Sequence, residues 1–442
     1  MTLNKHLSDK YGPYVIILLS AVSVYSLIYM LSANFSPVAD NPYNNFSRQA
    51  VSWLNGRLSL PENIPWLEIA IFEGRYYVSF PPFPSIVILP FTLFYGINTP
   101  DHAIALCISF LALIFAYKLG EKVLGNKPYA VIFSLFLILG TNYLHISLWG
   151  TVWYIAQNFA FLLTLMAFYY ALTDNKNHSY LSLFFMCAAM GCRPFNALYL
   201  PVVLLLIFRR EAKSLVGFLK KILFHAIPAS ALGAFFMWLN YARFGSIFEF
   251  GHNYLPEFYN DPHGQFYIGR VAGNLARMFF GMDFIGFPLF HGFAFWLASP
   301  IVVSFVVYLL VYVIKEFRNK CFTGDCSSYP SDGEDVKVTR VVTCNKLGNR
   351  PKVQDNDKIL VIALLLLIML HLVAFSFHRT LGGHQFGSRY TVDTLPAIYL
   401  GLLLILKKLP QNGSVYLNIP PMIFGLLLNF QGTVAFLAYY SQ

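Results

Sequence analysis

Charge is what this chain has least of. Only 12% of its 442 residues are Asp, Glu, Lys or Arg, and 57% are hydrophobic. Soluble domains carry roughly 25% charged residues. The mean hydropathy of +0.56 points the same way. Length alone would suggest two or three soluble domains, but this composition excludes them. The sequence also contains no GxGxxG, no Walker loop and no HExxH, so soluble-nucleotide and zincin chemistry gain no support. Cysteine is sparse and poorly placed for metal. Cys107, Cys187 and Cys192 lie in or beside apolar segments. Cys321, Cys326 and Cys344 share a hydrophilic stretch that has no histidine and no fourth cysteine, which leaves no recognisable zinc site. Free thiols are the expected state. No tandem repeat is evident, so an inverted-repeat transporter gains no support.

What the chain has instead is a series of apolar runs. Many approach the roughly 20 residues that a bilayer core requires of a helix. They predict a polytopic all-α membrane protein of about eleven spans, near 13–33, 84–97, 100–119, 129–146, 152–173, 180–208, 222–239, 291–314, 359–377, 391–406 and 416–440. The second is short, and the sixth is interrupted by Arg193-Pro194. The first follows Lys5 and Lys10 and has no small-residue cleavage site, so it reads as a retained helix. The net charge of +10 does not point to nucleic acid, because the basic residues cluster between apolar runs. Lys5 and Lys10, the group from Arg209 to Lys221, the group from Lys315 to Lys320, and Lys407-Lys408 all fall on one side if eleven spans alternate. The positive-inside rule makes that side cytoplasmic. Lys118, Lys122 and Lys127 fall on the other side, against the rule.

Three polar segments then face outward: 34–83, 240–290 and 378–390. A helical module over 1–314 is followed by a hydrophilic connector, 315–358, with mixed charge and few aromatics. A C-terminal helical part covers 359–442. In the first outer loop, Pro42 to Leu58 places Phe46, Ala50, Trp53 and Leu54 at helical spacing, with Arg48 and Gln49 turned away. That pattern predicts an amphipathic helix in the interface. Gly74 permits a turn, Tyr76 and Tyr77 suit the headgroup level, and Pro81, Pro82 and Pro84 stiffen the approach to the second span. Asp40, just past the first helix, has two readings. It caps the helix that follows, or it is an acid kept at the surface for a chemical task.

The ordered set of segments resembles a known group. It comprises Asp40, the LNGRL that closes the amphipathic segment, GRYYVSFPPFPS from Gly74, Gly191-Cys192-Arg193-Pro194, YARFGSIFEFG from Tyr241, and GGHQFGSRYTVDTLP from Gly382. Together these resemble the GT-C superfamily of membrane glycosyltransferases, in particular the protein mannosyltransferases and the lipid A aminoarabinose transferases. The resemblance implies a helical bundle with its active site at the outer face and a polyprenyl-phosphate sugar as donor. The acceptor is a hydroxyl of a glycan, lipid or protein. It also implies an acid of the first outer loop as general base, and Asp40 is the matching position. The sequence departs from the pattern at Asn41, where many relatives carry a second acid, and at Phe80, where the aminoarabinose transferases carry a lysine.

Sugar transfer from a lipid phosphate needs a base, cations for the departing phosphate and an apolar groove for the tail. The phosphate candidates are Arg389 first, then Arg193, Arg270 and His384, with Arg243 and Arg379 behind them, because a guanidinium meets phosphate oxygens bidentately. Snorkelling at a span end is the plainer account of Arg389, and helix-to-helix pairing is the plainer account of Arg193. Arg75, Tyr76, Tyr77, Tyr43, Glu249 and His252 are candidates for the sugar and acceptor pocket, with Glu73 and Asp283 as further outer polar residues. Asp393, one turn from Arg389, suggests a local ion pair. His145 and His371 read as structural. The isolated Asp40 argues against a cluster of metal-holding acids; no cofactor beyond the donor lipid is expected, and a divalent metal stays an open alternative. A lipid-linked-sugar flippase and a silent scaffold of the same fold remain open alternatives.

Overall fold

The computed structural model describes residues 2–32, 35–175, 177–211, 214–281, 292–324, 353–383, 385–409 and 415–440. Within these the apolar runs fold as helices: α1 Thr2–Leu31, α2 Asn45–Leu54, α3 Phe83–Tyr95, α4 Asp101–Leu124, α5 Lys127–Leu139, α6 Tyr143–Ser147, α7 Val152–Leu172, α8 His178–Met190, α9 Leu200–Glu211, α10 Leu215–His225 and α11 Ile227–Phe244. They continue as α12 Pro256–Tyr259, α13 Val271–Phe280, α14 Phe295–Ala298, α15 Ile301–Gly324, α16 Val353–Ser376, α17 Leu395–Leu406 and α18 Ile419–Tyr440. One antiparallel hairpin interrupts the first loop, β1 Ile69–Phe72 paired with β2 Arg75–Val78. Its two-residue turn needs positive φ at both positions. Gly74 (φ 70°) takes that at no steric cost, and Glu73 (φ 48°) tolerates it.

Five of these helices are long and apolar enough to cross a membrane, and a sixth counts if α10 and α11, bent by 54°, form one span. Four more apolar helices are shorter. That is fewer full-length helices than the eleven expected spans, and the reason is local. Gly140 ends α5, which divides 129–146. Gly191 and Pro194 divide 180–208 into α8, a 3₁₀ segment Pro194–Tyr199 and α9. The expected connector also narrows, since α15 runs to Gly324 and α16 starts at Val353.

Burial is distributed as a membrane bundle requires. Every residue of α17 is buried, so it forms the centre. The outer helices carry exposed large apolar side chains, among them Leu19, Phe224, Leu310 and Phe317. Such surface is costly in water and free of cost in lipid. Small residues allow close approach. A Cβ on Gly150 would lie 2.3 Å from the Asp101 carbonyl carbon, and one on Gly425 would lie 2.1 Å from the Gly140 oxygen.

The shortest expected span, 84–97, forms the short helix α3 and a 3₁₀ turn, Gly96–Asn98. α3 is about 20 Å long, less than the roughly 30 Å hydrocarbon core. Both of its ends bond to the same layer. Phe83 N donates to Gly191 O, and Asn44 Nδ2 donates to Ile97 O. α3 therefore lies beside α2, and α4 starts from that layer. This moves Lys122 and Lys127 to the opposite end, where Lys127 Nζ donates to Asp9 O and Lys122 pairs with Asp174. Arg210 meets the Thr173 carbonyl at that end, and Arg209 and Lys408 share Asp357. Lys122, Lys127, Arg209, Arg210 and Lys408 thus lie at one end of the bundle.

α2 itself differs from its expected form. It starts at Asn45 rather than Pro42, with Asn44 as the preceding residue, so Asp40 does not cap it. Gln49 is not turned away: it is buried and accepts a hydrogen bond from Ser85 Oγ. Packing against α3 buries that face together with Phe46 and Ala50.

Candidate functional site

Opposite the basic end lies a cavity of about 1020 Å³, at the upper limit of the roughly 300–1,000 Å³ common for small-molecule sites. Its walls come from the first loop, the α6–α7 junction, the break after α8, the segment before α12 and the stretch from Phe375 to Tyr390. The lining is largely aromatic, with a few convergent charges.

Arg389 supplies the most distinctive of these charges. It follows a glycine-rich turn in which Gly382, Gly383 and Gly387 take positive φ. The turn is pinned by Asn142, whose Nδ2 donates to Phe386 O and whose Oδ1 accepts from Ser388 N. A Cβ on Gly387 would fall 2.2 Å from Asn142 Nδ2. Arg389 is 5% exposed. Its Nη2 donates to Gly382 O, while Nε and Nη1 have no hydrogen-bond partner. Its guanidinium lies 5.4 Å from the Tyr154 ring centroid and 5.1 Å from that of Tyr390. Unpaired buried donors cost several kcal/mol in principle; both are closed off as the side chain stands, so an anion in the cavity would meet them only after the guanidinium turns.

Arg193 also lines the cavity, but it is engaged. Its Nε and Nη2 donate to Asp393 Oδ2 at 2.9 and 2.7 Å. Gln157 Nε2 donates to the other carboxylate oxygen and to Arg389 O, and Tyr199 OH donates to Asp393 O. The expected Asp393–Arg389 pair is therefore replaced by an Asp393–Arg193 pair. Tyr390–Thr394 is a 3₁₀ segment. At three residues per turn, positions four apart are rotated away from each other.

Glu68 was not among the expected site residues, yet it stands in this wall. Leu67 and Ile69 on either side are buried in a small cluster with Leu60, Ile64 and Val78, and extended alternation sends Glu68 the opposite way. Ser79 Oγ donates to its backbone carbonyl, and Trp153 Nε1 donates to its Oε2 at 2.9 Å. Burial pushes its carboxyl up to about 7, the Trp153 bond and the nearby Arg389 pull it down, and Glu257 pushes it up. Glu249 lines the cavity with both oxygens spent locally, on Gly251 N and Asn253 Nδ2. His252 and His378 line it too, and burial lowers both to about 4, so both are neutral at physiological pH. The signal that could have revealed Glu68 is a lone acid inside the apolar run LEIAIF.

The other expected residues are scattered. Tyr43, Glu249, His252, Arg193 and Arg389 come together in the cavity. Asp40 is exposed and is not among the lining residues. Arg75 is exposed on the hairpin, Tyr76 packs on the Leu60 cluster, and Tyr77 is buried against Phe244, so none of the three lines the cavity. Arg270 does not line it either: its Nη2 donates to both oxygens of Asp261, at 2.9 and 3.0 Å. Arg379 shares that carboxylate, and Arg243 is spent on the Val78 carbonyl and Asn240. His384 and Asp283 lie outside the described residues. Among the described residues, no group of three or more His, Cys, Asp or Glu side chains is placed to hold a metal ion.

No protein-family model matches this chain, and no curated protein matches it significantly.

Proposed function

We propose that the chain is a membrane glycosyltransferase of the GT-C type. In this reading it moves a sugar from a polyprenyl-phosphate donor to an acceptor hydroxyl, with the cavity as its active site. The observation that carries the reading is Arg389. Its guanidinium stands in the wall of an aromatic cavity of about 1020 Å³, and a turn of that group would bring its two unpaired donors to a phosphate bearing an apolar substituent. The family resemblance supplies the rest. In this reading Arg389 meets the phosphate oxygens as they gain charge, and the aromatic walls take the faces of the sugar ring and the first isoprene units. Arg193, neutralised by Asp393, orients the headgroup through its remaining donor. With the basic end in the cytoplasm by the positive-inside rule, the cavity opens on the extracytoplasmic side. The resemblance assigns the proton to Asp40, which lies outside this cavity.

The test is binding of polyprenyl phosphate to the purified full chain, followed by assay of donor consumption. Arg389→Leu removes a charge-assisted pair worth about 2–3 kcal/mol, or roughly 30- to 150-fold in affinity. Unchanged affinity in Arg389→Leu would refute the phosphate role. Binding and vesicle translocation of the lipid-linked sugar without donor consumption would identify a flippase instead.

A further inference from the structure

We infer that Glu68 is the group that accepts the acceptor's proton. The inference rests on the glycosyl-transfer reading and moves the base from Asp40, the position the resemblance implies, to Glu68. Among the described residues, the carboxylates that line the cavity are Glu68, Glu249 and Glu257. Glu249 has both oxygens committed to its own loop. Glu257 lies on the exposed rim. Glu68 is held from both sides: its backbone by Ser79 and its Oε2 by Trp153. Its Oε1 has no hydrogen bond to protein and is not sealed from the cavity. A carboxylate fixed through one oxygen, with the other presented to a substrate pocket, is what a general base requires. The two histidines do not compete well. His378 bonds through Nδ1 to Thr380 and through Nε2 to Gln265, and His252 bonds through Nδ1 to Ser79 O. Both are weak bases in this setting.

The step balances without a co-reactant. The acceptor oxygen forms a bond to the anomeric carbon while the bond from that carbon to the phosphate oxygen breaks. The electron pair of the broken bond leaves on the phosphate, which faces Arg389. The acceptor's proton passes to Glu68 Oε1. Base and clamp then line one cavity, and Arg389 lies within electrostatic reach of Glu68.

The groups acting on Glu68 are Arg389, Glu257 and the Trp153 indole, with Arg193, His252, His378 and Glu249 around the same cavity. A base must be ionised to work. Its folded-state value is raised, so the rate should rise as pH increases through about 7 and level off above. Membrane vesicles carrying the full chain, supplied with a panel of polyprenyl-phosphate sugars and read by release of polyprenyl phosphate, provide the assay. Glu68→Gln should lower the rate roughly 10²- to 10⁴-fold while polyprenyl phosphate still binds. Glu68→Asp should recover part of the rate. Trp153→Phe removes the bond that favours the ionised carboxylate, so the acid limb should move to higher pH. A residue with only a structural role would not move that limb. Asp40→Asn should keep the limb in place. Overturning results are full activity with the same pH profile in Glu68→Gln, or loss of the limb in Asp40→Asn instead. If the wild-type chain binds the lipid yet consumes no donor, the glycosyl-transfer reading fails, and this inference fails with it.

Discussion

Replacing Asp393 by leucine keeps the approximate side-chain volume and removes the acceptor of two charge-assisted hydrogen bonds from Arg193, at 2.9 and 2.7 Å. The Asp393 side chain is 2% exposed and that of Arg193 is 17% exposed. Bonds to charged groups contribute about 1.5–3 kcal/mol each, and removing one partner of a buried pair costs about 3–5 kcal/mol. Arg193 keeps some contact with the cavity, so the lower end applies, about 3 kcal/mol. Gln157 also loses one of the two acceptors that Nε2 bonds. The double replacement Arg193→Met with Asp393→Leu removes the charge as well as its partner. It should recover at least about 1.5 kcal/mol of the single loss, because an unpaired buried charge is the larger component. Unfolding of the full chain by SDS in mixed micelles measures both. If the double variant is as unstable as Asp393→Leu, or less stable, then desolvated charge is not what makes this position costly. Arg193 would then act through packing alone.

Asn41 is a buried bridge, with Nδ2 donating to Asp101 Oδ2 and to Gly150 O, both at 3.0 Å, and Oδ1 accepting from Tyr43 N. Asn41→Asp should therefore destabilise the chain by about 2–4 kcal/mol, since it replaces two donated bonds with like-charge contact on Asp101. An unchanged unfolding midpoint would show that the bridge contributes little. Cysteines placed at Lys127 and Lys407 should react with an impermeant maleimide from the opposite side of the membrane to one placed at Arg57. Labelling of all three from one side would refute the two-ended arrangement.

The class of the protein was legible in the sequence. Scarce charge and apolar runs leave lipid as the only solvent that fits, and turn chemistry at Gly74 follows from glycine's freedom at positive φ. Arg389 and Arg193 could be selected as cavity candidates because a cation beside a glycine or proline break in an apolar chain has few places to go. Pairing needed the fold. Asp393 meets Arg193, 200 positions away, rather than its neighbour Arg389, because a 3₁₀ turn sets the rotation between them. The span near 84–97 has the composition of a crossing, yet its length and its contacts with α2 lay it alongside that helix. Asn41, which reads in sequence as a missing acid, is occupied by structure, since Asp101 already brings a carboxylate to that point. Glu68 carries no motif. Local alternation aims it, but only the meeting of the first loop with Trp153 and Arg389 makes that direction a cavity. A periodic pattern records which side of a segment avoids water or lipid. Which other segment lies on that side depends on contacts distant in the chain, and the chemistry of this site depends on those contacts.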